Sequence, residues 1–328
     1  MSWHGSRVLV TGAGGFIGSH LTDKLVDLGA KTVAFVHYRS DDSWGWLDRS
    51  EHKGDIEVVA GDIRDRDSLA RAMAGAEVVF HLAALIAIPY SYHAPMSYVQ
   101  TNIDGTLNVL QEARDAGVEL VVHTSTSEVY GTAQYVPIDE NHPLQAQSPY
   151  SASKIGADKQ AESFHSSFGL PVATIRPFNT YGPRQSARAI IPTIITQALT
   201  QPELKLGNLA PTRDFNFVAD TVEGFLRIAS HPDAIGEVFN IGTGQEISIG
   251  NLCTLILKQL NKPELAIVRG ADRVRPETSE VDRLCADSRR ARETLGWQPN
   301  HTLEEGISKT IEWIKHDLDR YRPNTYAI

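Results

Sequence analysis

Short apolar runs alternate with segments of helical periodicity through the first half of the chain. Apolar residues recur at helical spacing after residue 16, and a longer amphipathic segment runs from residue 102 to about residue 116. Strands that alternate with helices of ten or more residues form parallel sheets. The pattern therefore predicts an α/β fold with a doubly wound parallel sheet, whose strands are expected at 7–11, 32–36, 58–65, 78–82, 120–122 and 172–176.

A glycine-rich turn follows the first predicted strand and opens the first predicted helix. Gly12, Gly15 and Gly18 are spaced G-x-x-G-x-x-G, and Phe16 and Ile17 begin the helical periodicity. Strand, glycine turn and helix together let backbone amides approach a pyrophosphate at a helix N-terminus. This arrangement predicts a Rossmann-type dinucleotide-binding domain that contacts its cofactor through these five residues.

The regular alternation of strands and helices stops after residue 177. Proline and glycine punctuate the segment 177–192. We therefore predict a dinucleotide-binding Rossmann domain at 1–177 and a smaller C-terminal lobe that binds the substrate over most of 178–328. A segment near 215–245 is expected to return to the main sheet, and the pattern at 303–314 predicts a terminal amphipathic helix.

The composition argues against several classes of partner. The 328 residues include 31 basic and 40 acidic ones, for a net charge of −9, and no run of lysine and arginine stands out. Nucleic acid or an anionic membrane is therefore not an expected partner. Two cysteines are too few for a disulfide framework, and no cluster of histidine and cysteine predicts a metal site. Without a recognisable signal peptide or membrane span, we expect a cytoplasmic protein.

Tyr150 and Lys154 form a candidate catalytic pair. They are four residues apart, so on a helix their side chains lie on one face. A tyrosine phenol titrates near pH ~10, and an ammonium one turn away favours the phenolate. Such a pair can take a proton from an alcohol while a hydride leaves the same carbon.

Thr126, Ser127 and Glu128 follow the apolar run at 120–122. This run is predicted to be a buried strand, and open α/β sheets bind ligands at the carboxyl ends of their strands. Two hydroxyls and one carboxylate are therefore expected beside the Tyr150–Lys154 pair.

The loop after the second predicted strand bears on the choice between NAD and NADP. An acidic residue is expected at the end of that strand when the adenosine ribose is unphosphorylated. Instead, Arg39 and Ser40 stand there and could hold a 2′-phosphate, which favours NADP. Asp41 or Asp42 could still reach a free ribose, which would favour NAD. Further cofactor contacts are expected from Asp62, Ile63, Leu82, Ala83, Ala84 and Asn102.

Motifs along nearly the whole chain resemble those of the extended short-chain dehydrogenase/reductase family, in the branch that modifies nucleotide sugars. They include V-T-G-A-G-G-F-I-G-S-H, G-D-I-R-D, F-H-L-A-A, S-T-S-E-V-Y-G, Y-S-A-S-K, R-P-F-N-T-Y-G-P and F-N-I-G-T-G. The stretches 41–47, 84–90 and 184–188 are similar to the bacterial N-acetylglucosamine-nucleotide 4,6-dehydratases of legionaminic acid biosynthesis.

The resemblance implies roles for the candidate residues. Thr126 and Tyr150 would flank the 4-hydroxyl of the sugar, Lys154 would hold the nicotinamide ribose, and Glu128 would be the base of a dehydratase. The substrate is expected to contact Asn179, Arg188, Arg213 and Arg275. A tightly bound, recycled NAD or NADP and a homodimer are also implied.

The implied activity is a 4,6-dehydratase that converts a UDP- or GDP-linked N-acetylhexosamine into the 4-keto-6-deoxy sugar by an internal hydride loop. Ser127 stands where glucose-nucleotide dehydratases have an aspartate, and both mannose-nucleotide dehydratases and glucuronate-nucleotide decarboxylases share this serine. A decarboxylase or a 4-epimerase on the same scaffold therefore remains an alternative. A non-catalytic dinucleotide-binding regulator is a further one, against which the intact Tyr150–Lys154 pair argues.

Overall fold

A computed structural model describes residues 3–270 and 276–321. Its thirteen strands within those residues are β1 (Arg7–Thr11), β2 (Lys31–His37), β3 (Glu57–Gly61), β4 (Val78–His81), β5 (Leu120–Thr124), β6 (Val172–Pro177), β7 (Asn179–Tyr181), β8 (Glu203–Leu206), β9 (Thr212–Arg213), β10 (Phe215–Phe217), β11 (Val238–Ile241), β12 (Ile247–Ser248) and β13 (Ala266–Arg269). Seven of them form one parallel sheet in the order β11-β6-β5-β4-β1-β2-β3. This sheet confirms the predicted doubly wound α/β fold.

Eleven α-helices lie within the described residues. They are α1 (Phe16–Asp27), α2 (Arg66–Met73), α3 (Ile88–His93), α4 (Pro95–Tyr98), α5 (Gly105–Ala116), α6 (Pro149–Phe168), α7 (Ile190–Thr200), α8 (Val218–Ser230), α9 (Ile249–Gln259), α10 (Arg289–Leu295) and α11 (Leu303–His316). None of the helices among residues 3–270 and 276–321 is long and apolar enough to cross a membrane.

Helix α6 carries the Tyr150–Lys154 pair, and its boundaries follow from local chemistry. Ser148 caps its N-terminus by accepting from the Ser151 amide at 3.1 Å, while Pro149 occupies the first helical turn. Gly169 ends it with φ +67°, a conformation that costs glycine little. Tyr150 and Lys154 therefore lie in the first two turns, next to the sheet.

One apolar layer lies on each face of the main sheet. On one face α1, α8 and the α10 region pack through residues such as Leu21, Phe225 and Trp297. On the other face α2, α5 and α6 pack through residues such as Leu110 and Phe164. Burial of both faces explains why the strands read as continuous apolar runs in the sequence.

A separate apolar core joins α7, α9 and α11 in the C-terminal part of the chain. Three two-stranded sheets accompany it, in which β7 pairs with β10, β8 with β13 and β9 with β12. This unit lies beside the carboxyl ends of the main sheet, because β7 follows directly from the end of β6. Strand β10 pairs with β7 and leads into α8. The two units together enclose the cavity described next.

Candidate active site

A cavity of about 930 Å³ opens at the carboxyl ends of the main-sheet strands. Residues that follow β1, β4, β5 and β6 form one wall, and residues of the C-terminal core form the other. The carboxyl end of a doubly wound sheet is where such folds bind ligands. The cavity is large enough for a dinucleotide together with a second small molecule.

The glycine turn forms the wall of this cavity beside β1. Gly12 has φ +71°, and a Cβ atom there would lie 2.8 Å from the backbone nitrogen of Ala83. Helix α1 begins at Phe16 without a side-chain cap and without an acidic residue in its first turn. An uncapped helix N-terminus offers free amides and positive potential, so these residues fit the pyrophosphate of a dinucleotide.

A loop after β2 covers the glycine turn. The amide of Trp46 donates to the carbonyl of Gly14 at 3.0 Å, and a Cβ atom at Gly14 would overlap the carbonyl of Trp44. Ser43, Trp44 and Gly45 all line the cavity. The sequence analysis did not assign these three residues to the site. The feature that could have indicated them is Gly45, a glycine between Trp44 and Trp46.

Tyr150 and Lys154 lie on the cavity wall at the start of α6. Nζ of Lys154 donates to the carbonyl of Thr124 at 2.6 Å. Burial lowers the pKa of Lys154 to about 8, and the charge of Asp158 opposes this change. Burial raises the pKa of Tyr150, and the nearby Glu128 charge raises it further, while the Thr126 hydroxyl acts in the opposite direction.

The segment after β5 brings a carboxylate to the same wall. Residues Ser127–Tyr130 form a 3-10 helix that Thr126 caps, with its Oγ1 accepting from the Glu128 amide at 3.3 Å. Ser127 and Glu128 both line the cavity. Within the described ranges, 3–270 and 276–321, no ion pair or hydrogen bond engages the Glu128 carboxylate. It is thus free to meet a ligand beside Tyr150.

A comparison of the sequence with models of protein families identifies the family of this chain. The model of the family described as GDP-mannose 4,6 dehydratase matches residues 9–310. The chain belongs to the GDP-mannose 4,6-dehydratase family. The prediction of an extended short-chain dehydrogenase/reductase of the nucleotide-sugar 4,6-dehydratase branch is confirmed. The narrower resemblance to the legionaminic acid enzymes stays a prediction.

The individual relatives of this chain include proteins named for two different activities. A UDP-glucose 4-epimerase of Mycolicibacterium smegmatis is 37% identical over 316 residues, 94% of this chain and 99% of the relative. A dTDP-glucose 4,6-dehydratase of Streptomyces antibioticus is 33% identical over 324 residues, 97% and 95% of the two chains. The comparisons therefore support an enzyme that acts on a nucleotide sugar with NAD(P).

A solved structure agrees with the fold of the whole chain. DesIV, a dTDP-glucose 4,6-dehydratase from Streptomyces venezuelae solved with NAD and TYD bound, superposes with a TM-score of 0.89 at 30% identity. The match covers 97% of this chain and 100% of that chain. The main sheet and the C-terminal unit thus have counterparts in one known enzyme.

Most of the residues that the sequence predicts for the site line the cavity. Besides the glycine turn, Tyr150, Lys154 and the segment after β5, the wall includes Arg39, Leu82, Ala83, Ala84, Asn179, Arg188 and Arg213. Arg275 lies outside the described residues. Arg39 donates to the Asp41 carboxylate at 3.1 and 2.8 Å, and Oδ1 of Asn179 is buried without a partner.

Four predicted cofactor contacts do not form part of the cavity wall, namely Ser40, Asp62, Ile63 and Asn102. Asp62 accepts hydrogen bonds from Arg64, and Ile63 is buried against Gly105. Asn102 lies in a π-helix at Val99–Asp104 that precedes α5, where the sequence predicted one uniform helix. Its side-chain amide accepts from the backbone N–H of Leu85 at 2.8 Å and donates to the carbonyl of Leu85 at 2.9 Å. Asn102 therefore fixes the backbone next to the cavity wall. Direct contact of these four residues with a cofactor stays a prediction.

Proposed function

We propose that the chain is a nucleotide-sugar 4,6-dehydratase. The observation that carries the proposal is the Glu128 carboxylate, which lines the cavity beside Tyr150 and Thr126. Oxidation and reduction at C4 need the tyrosine and the lysine, but they do not need a carboxylate. Removal of the proton at C5 does need a base at this place.

The cavity fits a nicotinamide dinucleotide, which would supply a hydride acceptor when bound. We propose that the turn from Gly12 to Gly18 holds its pyrophosphate and that Lys154 holds the nicotinamide ribose. Arg39 on the wall supports NADP, whereas its ion pair with Asp41 and the NAD bound to DesIV support NAD. Calorimetric titration with both dinucleotides distinguishes the two forms.

The protein side chains would handle the protons in a fixed order. Tyr150 takes the proton of the 4-hydroxyl as C4 is oxidised to a ketone. The Lys154 ammonium would offset the burial and the Glu128 charge that raise the pKa of Tyr150, and would so favour the phenolate needed for this step. The ketone acidifies the hydrogen at C5, which Glu128 removes as a proton. Because the base and the sugar are held together, this weakly acidic position can react.

Glu128 would then act as the acid for the same sugar. Ser127 has no carboxyl group, so Glu128 passes the C5 proton to the 6-hydroxyl, which leaves as water. C6 receives the hydride, and C5 regains the proton that Tyr150 took from the 4-hydroxyl. The balance is the loss of one water and no net oxidation, which yields a 4-keto-6-deoxy sugar.

We propose a UDP- or GDP-linked N-acetylhexosamine as substrate, with the main-sheet unit holding the cofactor and the C-terminal unit the nucleotide. Asn179, Arg188 and Arg213 line the cavity on the C-terminal side and would contact the substrate's diphosphate. The family resemblance also implies a homodimer, which sedimentation velocity would test.

A 4-epimerase is the second candidate, because the Mycolicibacterium smegmatis relative carries that name. The product mass separates the candidates when UDP- and GDP-linked N-acetylglucosamine are supplied. Loss of one water identifies a dehydratase, and an unchanged mass with a new stereoisomer identifies an epimerase. A decarboxylase would instead release carbon dioxide from a glucuronate nucleotide.

Glu128→Gln tests the central assignment. We expect dehydration to fall about 10²–10⁴-fold, the usual contribution of a positioned general base, while reduced cofactor still forms from the first step. Tyr150→Phe should abolish even that reduced-cofactor absorbance. Glu119→Gln, an exposed position just before the other end of β5, is the matched control and should leave turnover unchanged. Full dehydration by Glu128→Gln would remove the proposal.

A further inference from the structure

A buried polar cluster lies one helical turn after Lys154, on the same face of α6. Its centre is the carboxylate of Asp158, which is 5% exposed. His123 on β5 contacts this carboxylate through Nε2 at 3.1 Å, and Arg176 on β6 donates to it at 3.0 and 3.3 Å. Three elements of the main-sheet unit therefore meet at one side chain that the proposed reaction does not use.

The same carboxylate connects the two segments that carry the candidate catalytic groups. Ser125 stands directly before Thr126, and its hydroxyl donates to Oδ2 of Asp158 at 2.7 Å. Asp158 itself is four residues after Lys154 on α6, so both side chains lie on one face of that helix. Asp158 thus connects the segment after β5 to the third turn of α6, one turn after Lys154.

The charge of Asp158 favours the ammonium form of Lys154 against burial, although the direct ion pair of Asp158 is with Arg176, at 3.0 Å. Burial raises the pKa of Asp158, but the hydrogen bond from His123 and the charges of Arg176 and Lys154 outweigh burial and lower the pKa to about 2. Burial also lowers the pKa of His123 and of His81, so both histidines are neutral. The titratable groups whose pKa values respond to the Lys154 charge are His81 on β4, His123 on β5 and Asp158 on α6. Tyr150 lies one turn before Lys154 on the same helix.

We propose that Asp158 is a positioning residue, which fixes the Thr126–Glu128 segment against α6 and holds the buried Lys154 in its ammonium form. A buried lysine without a counter-charge loses its proton readily, because a low-dielectric surrounding disfavours the charged form. Among the residues that the structure describes, Asp158 is the one charged group that opposes this effect at Lys154. The catalytic part of this inference rests on the proposed function, whereas the charge state of Lys154 does not.

Asp158→Asn tests the electrostatic part, because asparagine keeps the shape and one acceptor oxygen but removes the charge. The readout is the titration of Lys154 in full-length protein labelled with ¹³C-lysine, followed by NMR and assigned by the resonance lost in Lys154→Met. We expect the titration midpoint to fall by about one pH unit or more, the usual effect of losing an adjacent opposite charge. An unchanged midpoint in a folded variant would overturn the proposal.

Asp220→Asn is the matched control. Asp220 is also a buried aspartate on a helix, α8, and it accepts from the amide and Nδ1 of His301 at 3.1 and 2.9 Å. It does not line the cavity. A general loosening of the fold would shift the titration midpoint of Lys154 in both variants, whereas the loss of the Asp158 charge shifts it only in Asp158→Asn.

Ser125→Ala tests the positioning part, and it does so even if Asp158→Asn does not fold. This variant keeps the charge of Asp158 but removes its link to the segment after β5. We expect the Lys154 titration to stay where it is, while kcat falls severalfold and KM changes little. An unchanged kcat would refute the positioning role.

The two proposals fail separately. If Glu128→Gln keeps full dehydration, the proposed function is lost, yet the shift of Lys154 in Asp158→Asn can still be observed because no substrate is present in that titration. If the midpoint does not move while Glu128→Gln is inactive, only the role of Asp158 is lost.

Discussion

Gly18→Ala is the most direct test of the glycine turn as a pyrophosphate site. A Cβ atom at this position would overlap the carbonyl oxygen of Gly12 and lie 2.9 Å from its carbon and 3.0 Å from Cα of Ala13. Carbon atoms in contact prefer separations of about 3.5–4.0 Å. The turn and the start of α1 must therefore move apart by roughly 0.5–1 Å, since the overlapping atoms belong to the backbone.

This movement displaces the free amides at Phe16 and Ile17 from the cavity wall. Hydrogen bonds to a charged group contribute about 1.5–3 kcal/mol each, so the loss of two would cost about 3–6 kcal/mol. We therefore expect the affinity for NAD or NADP to fall about 10²–10⁴-fold. Isothermal titration calorimetry on cofactor-free protein measures this change, with circular dichroism as the check of folding.

The matched control is Gly250→Ala in α9. Its Cβ atom would meet Leu209 O at 3.6 Å, an ordinary contact, and alanine favours the helix by up to about 1 kcal/mol. This variant should bind the dinucleotide as the unchanged protein does and should be slightly more stable. If folded Gly18→Ala binds as tightly as the control, the glycine turn is not the pyrophosphate site.

Two further predictions concern stability. Tyr130→Phe removes a buried hydroxyl that donates to Asn240 at 2.8 Å and accepts from Arg176 at 2.9 Å, so urea unfolding should show a loss of about 1–3 kcal/mol. Tyr135→Phe, at a 45% exposed position, should change little, and equal losses would contradict this reasoning. Burial lowers the pKa of His20 to about 4 and also lowers the pKa values of His81 and His123, so the unfolded chain binds protons below about pH 6.5 that the folded chain does not. The free energy of unfolding should therefore decrease from pH 7 to pH 5, by up to about 1.4 kcal/mol per pH unit for each histidine. The decrease should be more gradual in His20→Gln. A free energy of unfolding that stays constant over this range would refute the reasoning.

Elements whose apolar pattern is local could be predicted from the sequence. The first strand was expected at 7–11 and is Arg7–Thr11, and the terminal helix was expected at 303–314 and is Leu303–His316. Strands β9 and β12 have two residues each and exist only because they pair with each other, so no periodicity could reveal them. The π-helix before α5 likewise leaves no mark in the spacing of apolar residues.

The same distinction applies to the candidate site. Tyr150 and Lys154 share one helix and Glu128 follows one strand, so their common location could be inferred, and the structure brings all three to one cavity. The cluster around Asp158 draws on two strands and one helix, and the cover over Gly14 depends on a loop that folds back. Such groupings arise from tertiary contacts, which a single sequence does not encode at any fixed spacing.

The position of β11 has a consequence for protein synthesis. It is the last strand of the main sheet to leave the ribosome, and it occupies the outer edge beside β6. Until residues 238–241 have been translated, the nascent polypeptide presents β6 with unpaired backbone groups, the kind of edge at which chains aggregate. A truncated product ending before β11 would therefore need a chaperone more than the finished enzyme does, and a search for aggregation-suppressing substitutions should begin on β6.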